Sequence, residues 1–212
     1  MSTAQLHLAD AAATEAIGAR LARELHGGMV VTLSGDLGAG KTTLVRGCLH
    51  AIGWDGPVKS PSYTLVEHYP LSSLYFYHFD FYRFTDASEW ETAGLAECFR
   101  DDAVCVVEWP ERVVGLLPTP DVALTLAYPG DPSAPGRQLL LAAHTERGER
   151  CLRAMIAGGD GPAAYHRSPS SAVARADGCS SRRRSSPHPR GPGPPPQAWR
   201  RHGCGPHRNT RA

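Results

Sequence analysis

The fold of this chain is decided by one stretch, Met29-Val-Val-Thr-Leu-Ser-Gly35-Asp-Leu-Gly-Ala-Gly-Lys41-Thr-Thr43-Leu-Val-Arg-Gly-Cys-Leu-His-Ala-Ile52. Residues 29–33 form a short apolar run rich in β-branched side chains, which predicts a buried strand. Residues 35–40 form a glycine-rich loop, and residues 41–52 have the pattern of a helix. A buried strand that leads through a tight loop into a helix indicates an α/β domain.

The loop in this stretch matches the pattern G-x-x-x-x-G-K-[ST] at every fixed position. Its glycines let successive backbone N–H groups turn toward an anion, and the following helix adds the positive end of its dipole. Lys41 would place a cation at the β- and γ-phosphates, Thr42 would be a ligand for Mg²⁺, and Thr43 could reach the α-phosphate. The sequence therefore predicts a Walker A loop for ATP and Mg²⁺. The residues expected to contact the nucleotide here are Gly35, Asp36, Gly38, Ala39, Gly40, Lys41, Thr42 and Thr43.

Two acidic residues stand at or near the carboxyl ends of predicted strands. Asp80 lies in the predicted strand 74–82, and Glu108 follows the buried run 103–107, where a Walker B acid is expected. Ligands of open α/β sheets bind beyond the carboxyl ends of the strands. We therefore expect Asp80 and Glu108 to hold Mg²⁺ and to orient the attacking water, with Lys41 as the third catalytic residue.

Other interpretations of these residues stay open at this point. Glu108 could cap a strand on the surface, and Asp80 could form a salt bridge with Arg83. His78 shares a face of its strand with Asp80, so it either orients that carboxylate or is purely structural.

The rest of the first 157 residues alternates between strand and helix patterns. Asp10 can cap a helix whose apolar stripe is Ile17, Leu21 and Leu25. A further helix is predicted at 88–99, and further strands at 63–69, 74–82, 103–107, 122–127 and 138–143. These elements predict a three-layer α/β domain with a mostly parallel central sheet and additional antiparallel strands.

The composition changes after Ala157. Residues 158–212 contain ten Arg and two acidic residues, which leaves twelve basic and nineteen acidic residues for 1–157. They also contain nine of the 18 prolines, and Val173 is their only Val, Ile, Leu, Met or Phe. Such a segment buries too little apolar surface to offset its chain entropy, so we expect a disordered basic tail. A frameshift in GC-rich DNA would give the same composition, and that origin stays open.

The cysteines and the N-terminus bear on the compartment. None of the six cysteines forms a CxxC pair, and Cys48, Cys98 and Cys105 lie in apolar or helical patterns that favour free thiols. The start of the chain lacks the basic and apolar regions of a signal peptide, and no membrane span is predicted. We expect a cytoplasmic protein that does not enter the membrane.

Four sequence blocks together resemble the TsaE family, the P-loop ATPases of bacterial tRNA threonylcarbamoyladenosine (t6A) biosynthesis. The blocks are Gly35-Asp-Leu-Gly-Ala-Gly-Lys-Thr-Thr43, Ser60-Pro-Ser-Tyr-Thr-Leu65, His78-Phe-Asp-Phe-Tyr-Arg83 and Glu108-Trp-Pro-Glu111. The resemblance covers roughly residues 5–157, and the last three blocks are not general features of P-loop proteins. Two departures are mild, since Ser62 stands where the family usually has Thr, and Phe81 where Leu is common.

The resemblance implies roles for residues and partners. Thr42, Asp80 and Glu108 would form the Mg²⁺ and hydrolysis site, residues 60–64 would act as a switch segment that senses the γ-phosphate, and Trp109 and Glu111 would lie beside the nucleotide. The implied partners are the proteins TsaB and TsaD, of which TsaD modifies adenosine 37 of tRNAs decoding ANN codons. The family's ATP cycle would reset that complex, hydrolysis would be weak without it, and tRNA would be met only through it.

Three further hypotheses are compatible with the sequence. A small-molecule kinase could use the same phosphate loop, and a nucleotide-dependent binding module could use it without turnover. In the tail, Arg182 to Arg184 and Arg200 to Arg201 could bind tRNA phosphates. The chain contains no Asn-Lys-x-Asp guanine motif, which favours ATP over GTP.

Overall fold

The core of the protein is one mixed β-sheet with helices on both of its faces. The computed structural model describes residues 2–71, 74–131, 134–157 and 164–167. The strands in these ranges are β1 (Ser2–Leu8), β2 (Val30–Ser34), β3 (Val66–Pro70), β4 (Tyr75–Asp80), β5 (Ala103–Glu108), β6 (Val122–Ala127), β7 (Arg137–Ala143) and β8 (Ala164–Arg167). The α-helices are α1 (Ala11–Glu24), α2 (Lys41–Ala51), α3 (Ala87–Thr92) and α4 (Glu146–Ala157), and short 3₁₀ helices span Leu95–Cys98 and Pro110–Val113.

The strand order is β3-β4-β5-β2-β6-β7-β1-β8. The four central strands β4, β5, β2 and β6 run parallel, whereas β3 at one edge and β7, β1 and β8 at the other pair antiparallel. The carboxyl ends of β2, β4 and β5 therefore meet at the same edge of the sheet, which is where parallel sheets bind ligands. This confirms the predicted α/β fold with a parallel centre and additional antiparallel strands.

Side chains of the central strands point alternately into two separate hydrophobic clusters. In β5, Val104 and Val106 belong to the cluster that packs under α1, α2 and α4, whereas Cys105 and Val107 belong to the cluster that contains Trp90 of α3. Strands that are apolar on both faces are expected for a parallel sheet covered on both sides. The predicted three-layer arrangement is therefore confirmed.

Helices α1 and α2 pack unusually close together. A Cβ atom added to Gly18 would lie 2.1 Å from the backbone oxygen of Leu44, and one added to Gly47 would lie 2.1 Å from that of Glu15. As predicted, Asp10 caps α1, and its Oδ1 accepts a hydrogen bond from the N–H of Ala13 at 2.7 Å. The close packing fixes the start of α1 beside the loop that precedes α2.

Several predicted elements differ from the structure at their ends. The helix predicted at 88–99 is split into α3 and the 3₁₀ helix, because Gly94 takes a left-handed conformation with φ +63°. The strand predicted at 63–69 begins only at Val66, because Leu65 also has a positive φ of 63°. No sequence pattern predicted β1 or α4.

The predicted tail, residues 158–212, lies outside the described residues except for 164–167. The backbone of those four residues pairs antiparallel with β1, so the division of the chain at residue 157 stays a prediction. The four cysteines of the described part, Cys48, Cys98, Cys105 and Cys151, are buried and free. No helix among the described residues combines the length and the apolar character needed to cross a membrane.

Candidate functional site

The predicted phosphate loop connects the end of β2 to the start of α2. Gly35, Gly38 and Gly40 all have positive φ values, of 132°, 76° and 107°. A side chain at Gly35 is also excluded by space, since its Cβ would lie 2.1 Å from the backbone oxygen of Leu126. The loop therefore needs glycine both for its backbone conformation and for its close approach to β6.

Lys41, at the first position of α2, is only 4% exposed. Its Nζ donates hydrogen bonds to the backbone oxygens of Gly35 at 2.7 Å and Asp36 at 2.9 Å. The same atom lies 4.0 Å from the centroid of the Trp109 ring, which is a cation–π contact. Burial lowers the pKa of Lys41 below its ordinary value, and the nearby Glu108 carboxylate opposes part of that shift.

Glu108 ends β5 and is 2% exposed. The Thr42 hydroxyl donates a hydrogen bond to its Oε1 at 2.9 Å, and Nε2 of His78 lies 2.8 Å from the same oxygen. The loop hydroxyl and the strand-end acid, which are 66 positions apart in the sequence, are thus in direct contact. Of the two interpretations left open for His78, the orientation of Asp80 is not the contact observed, because the ring nitrogen meets Glu108 instead.

Asp80 ends β4 directly beside Glu108, with which it is paired in the parallel register. Its Oδ2 accepts a short hydrogen bond from the Ser60 hydroxyl, and its Oδ1 accepts one from the N–H of Tyr82 at 2.9 Å. The guanidinium of Arg83 lies over the Tyr63 ring, 4.4 Å from its centroid, rather than against Asp80. Asp80 is therefore tied to the 60–64 segment, and the Arg83 salt bridge considered from the sequence is not the contact observed.

Two depressions border the phosphate loop. The larger has a volume of about 430 Å³ and brings together predicted site residues from four parts of the chain. Its lining includes Gly38, Gly40, Lys41, Thr42, Thr43, Ser60, Asp80, Arg83, Glu108 and Trp109. The smaller, of about 200 Å³, lies between the loop and the start of α1 and is lined by Asp10, Ala11, Thr14, Gly38, Ala39, Gly40, Thr43 and Arg137 among others.

Two other predicted site residues lie at the margin of the loop. Oε2 of Glu111 lies 3.5 Å from the Ser34 hydroxyl, just before the loop begins. The backbone oxygen of Asp36 accepts from the N–H of Ala39 at 3.1 Å, which closes a turn at the tip of the loop. Neither Asp36 nor Glu111 lines the larger depression.

Sequence reasoning missed the residues that support the loop from outside. The Tyr128 hydroxyl donates to the backbone oxygen of Leu37, and Arg137 donates to that of Gly38, each at 3.4 Å. The Arg137 guanidinium also lies 4.1 Å from the centroid of the Tyr128 ring. Tyr128 directly follows β6 and Arg137 begins β7, and no local motif marks them, because only the sheet order brings these strand ends to the loop.

The oxygen groups that line the larger depression suit a hard divalent cation such as Mg²⁺. Thr42 offers a hydroxyl, and Asp80 and Glu108 offer carboxylates, which are the hard oxygen donors that Mg²⁺ prefers. Among the described residues no group of three or more His, Cys, Asp or Glu side chains could hold a metal. This set fits Mg²⁺, which is commonly held by one or two protein groups together with substrate phosphates and water.

The chain is similar in sequence to a known protein family and to its individual members. Residues 8–138 match the family model described as "Threonylcarbamoyl adenosine biosynthesis protein TsaE". The tRNA threonylcarbamoyladenosine biosynthesis protein TsaE of Haemophilus influenzae is 44% identical over 126 residues, which span 59% of this chain and 77% of that protein. The protein of the same name from Treponema pallidum is 38% identical over 114 residues, which span 54% of this chain and 84% of that protein.

The fold has a solved counterpart as well. The crystal structure of Bacillus subtilis YdiB is similar with a TM-score of 0.60 at 28% identity, and the similarity covers 74% of this chain and 97% of that one. The family model spans the phosphate loop and both strand-end acids, so the match includes the residues that meet in the larger depression. On the strength of these matches and of the site geometry, this chain belongs to the TsaE family.

Proposed function

We propose that this protein binds ATP with Mg²⁺, hydrolyses it, and through that cycle supports the threonylcarbamoylation of adenosine 37 in tRNAs that decode ANN codons. The observation that carries the proposal is the 2.9 Å hydrogen bond from Thr42 to Glu108. It joins the hydroxyl of a Walker A loop to the acid at the end of the neighbouring strand, and groups of these two kinds hold Mg²⁺ in P-loop hydrolases. The role in tRNA modification follows from membership of the TsaE family.

The phosphate loop supplies the anion site in this proposal. Its backbone N–H groups and the start of α2 would hold the phosphates, and Lys41 would neutralise charge on the β- and γ-phosphates. The contacts of Nζ with the loop oxygens and with Trp109 keep the ammonium at the mouth of the loop. Asp36, Ala39 and Thr43 complete the loop, and Glu111 lies beside it at Ser34.

The metal site is proposed at Thr42, Asp80 and Glu108. Because the Thr42 hydroxyl donates its hydrogen bond to Glu108, the lone pairs of the hydroxyl oxygen are free to face a cation. Mg²⁺ bound with ATP supplies charge neutralisation at the transferring phosphoryl group. Glu108 would orient the attacking water and accept its proton, and Asp80 would hold Mg²⁺.

We place the adenine in the smaller depression. A nucleotide whose phosphates lie along the loop must extend into one of the two depressions beside the loop. The larger depression is lined by the charged groups of the proposed reaction. The smaller one is lined by Ala11 and Thr14 of α1, by Thr43 and by Arg137. Close packing of α1 on α2 fixes its walls, which suits a binding site for a flat base.

The proposed partners are TsaB and TsaD, and the protein would reach tRNA only through them, in the cytoplasm. The segment 60–64 connects the reaction to a surface that a partner can reach. At one end Ser60 bonds to Asp80, and at the other the Tyr63 side chain is 82% exposed. We propose that contact of a partner with Tyr63 alters the position of Asp80, and that hydrolysis is weak until this contact is made.

The test is phosphate release from ATP by the full-length chain, alone and with TsaB and TsaD of the same organism. Lys41→Ala serves as the inactive reference, and Arg153→Ala, an exposed change on α4, is the matched control for loss of a cation. We expect stimulation by the pair in the wild-type chain and in the control. Tight ATP binding without turnover in the presence of both partners would contradict the proposal and favour a binding module.

A further inference from the structure

His78 is a buried ionisable side chain to which the proposed reaction assigns no role so far. It lies on β4 two residues before Asp80, on the same face of the strand, and its exposed fraction is 0%. Its Nε2 lies 2.8 Å from Oε1 of Glu108. A carboxylate oxygen only accepts hydrogen bonds, so the ring carries its proton on Nε2 and donates it.

Glu108 thereby receives two hydrogen bonds at one oxygen. Thr42 donates to Oε1 from the loop side, and His78 donates to Oε1 from β4. Two donors from separate elements hold this oxygen in position, and the preference of hydrogen bonds for the plane of the carboxylate orients the group. The other oxygen, Oε2, is then held in one direction, and it is the oxygen available to accept a proton from water or to face a cation.

A buried histidine at this position lowers the stability of the fold, which is expected only if its contact with Glu108 has a function. Its Nδ1 is buried and has no hydrogen-bond partner in the described part of the chain. The neighbouring buried positions of the same segment, 76, 77, 79 and 81, are all occupied by Phe or Tyr. An aromatic hydrocarbon would fill the position without a polar nitrogen, so packing alone does not account for the imidazole.

We propose that His78 is a positioning residue for hydrolysis, which acts by donating its Nε2–H to Oε1 of Glu108 and so directing Oε2 into the larger depression. The inference rests on the proposed function, because it assigns Glu108 a role with water and Mg²⁺. Partners that orient a ligand or base in this way commonly change metal affinity or activity by about 10- to 100-fold.

The sharpest test compares His78→Gln with His78→Asn in the full-length chain. Both variants place a neutral amide in the same buried position, so their effects on folding are matched. The Gln amide nitrogen reaches about as far as Nε2, whereas the Asn side chain is one carbon shorter and cannot meet Glu108. We therefore expect His78→Asn to lose the positioning effect and His78→Gln to keep most of it.

Two readouts are measured on each variant. One is kcat for ATP with TsaB and TsaD present, and we expect it to fall about 10- to 100-fold in His78→Asn while KM changes little. The other needs no turnover: it is the Mg²⁺ concentration that gives half-maximal binding of a fluorescent non-hydrolysable ATP analogue. We expect that concentration to rise in His78→Asn and to stay near the wild-type value in His78→Gln.

The outcomes separate this inference from the function on which it rests. If the wild-type chain is no faster than Lys41→Ala, the proposed hydrolysis fails, and the Mg²⁺ titration still decides whether His78 positions the site. If the wild type is active and His78→Asn matches it in both readouts, His78 has only a structural role. Equal losses in the Asn and Gln variants would also overturn the inference, because the Nε2–H donor would then not be the cause.

Discussion

Replacement of Glu108 by Gln isolates the charge of this residue from its hydrogen bonds. The Gln side chain has the same shape and can accept from both Thr42 and His78 through its Oε1, as the carboxylate does. What it loses is the negative charge and the acceptor at the second oxygen. Fold and nucleotide binding should therefore survive, whereas proton acceptance from water should not.

The magnitudes follow from these contacts. A positioned general base contributes about 10²- to 10⁴-fold to a rate, so kcat should fall by that factor, or by about 2.7–5.4 kcal/mol in the barrier. Two hydrogen bonds to a charged acceptor become bonds to a neutral one, and the cost of burying a carboxylate disappears. The free energy of unfolding should therefore change by less than about 2 kcal/mol.

The assay is phosphate release with TsaB and TsaD, combined with ATP binding in the absence of turnover and with urea unfolding. Glu146→Gln is the matched control, because that side chain is 92% exposed on α4. Turnover by Glu108→Gln at a rate close to that of the wild-type chain would refute the assignment of Glu108 as the group that accepts the proton. A loss of ATP binding equal to the loss of turnover would show that Glu108 acts in binding instead.

Three further predictions concern stability, the base pocket and pH. Asp121→Ala should lower the free energy of unfolding, measured by urea denaturation, by about 1–3 kcal/mol, because the buried N–H of Val30 would lose the carboxylate that it meets at 3.0 Å. An unchanged urea midpoint would contradict this prediction. Ala11→Trp should fill the smaller depression and weaken ATP binding about tenfold, and unchanged affinity would place the adenine elsewhere. ATP affinity should fall as pH rises through the pKa of Lys41 in the free protein, which burial holds below the ordinary 10.5. In Glu108→Gln the fall in affinity should begin at lower pH, because the Glu108 carboxylate raises the pKa of Lys41. Affinity that is constant up to pH 10.5 would show that the charge of Lys41 does not govern binding.

The fold could be predicted where local pattern and tertiary environment agree. The run at 29–33, the glycines at 35–40 and the helix at 41–52 correspond to β2, the loop and α2 within one or two residues. Pattern failed where a single backbone conformation decided the end of an element, as Gly94 does within the helix predicted at 88–99. It also missed β1, because seven mildly polar residues next to the edge strand become a strand only through their pairing with β7 and β8.

The candidate site was predictable in composition and not in contacts. Asp80 and Glu108 could be named because acids at strand ends have a known chemical use, and the structure places them side by side in the parallel register. The partner of His78 could not be named, because alternation along a strand gives the face of a side chain and not its neighbour on the next strand. Tyr128 and Arg137 had no local signal at all.

The sequence by itself predicted a phosphate loop, named the residues proposed to hold a nucleotide and a cation, and indicated the family to which the chain is similar. Those properties depend on residue type over short spacings, and short spacings fix geometry within a loop or a single helix. Only the tertiary structure decided that Glu108 is held by both Thr42 and His78, that Asp80 is tied to Ser60, and that a second depression borders the loop and the start of α1. These contacts join residues from separate strands and helices, and the order and register of the sheet set their distances.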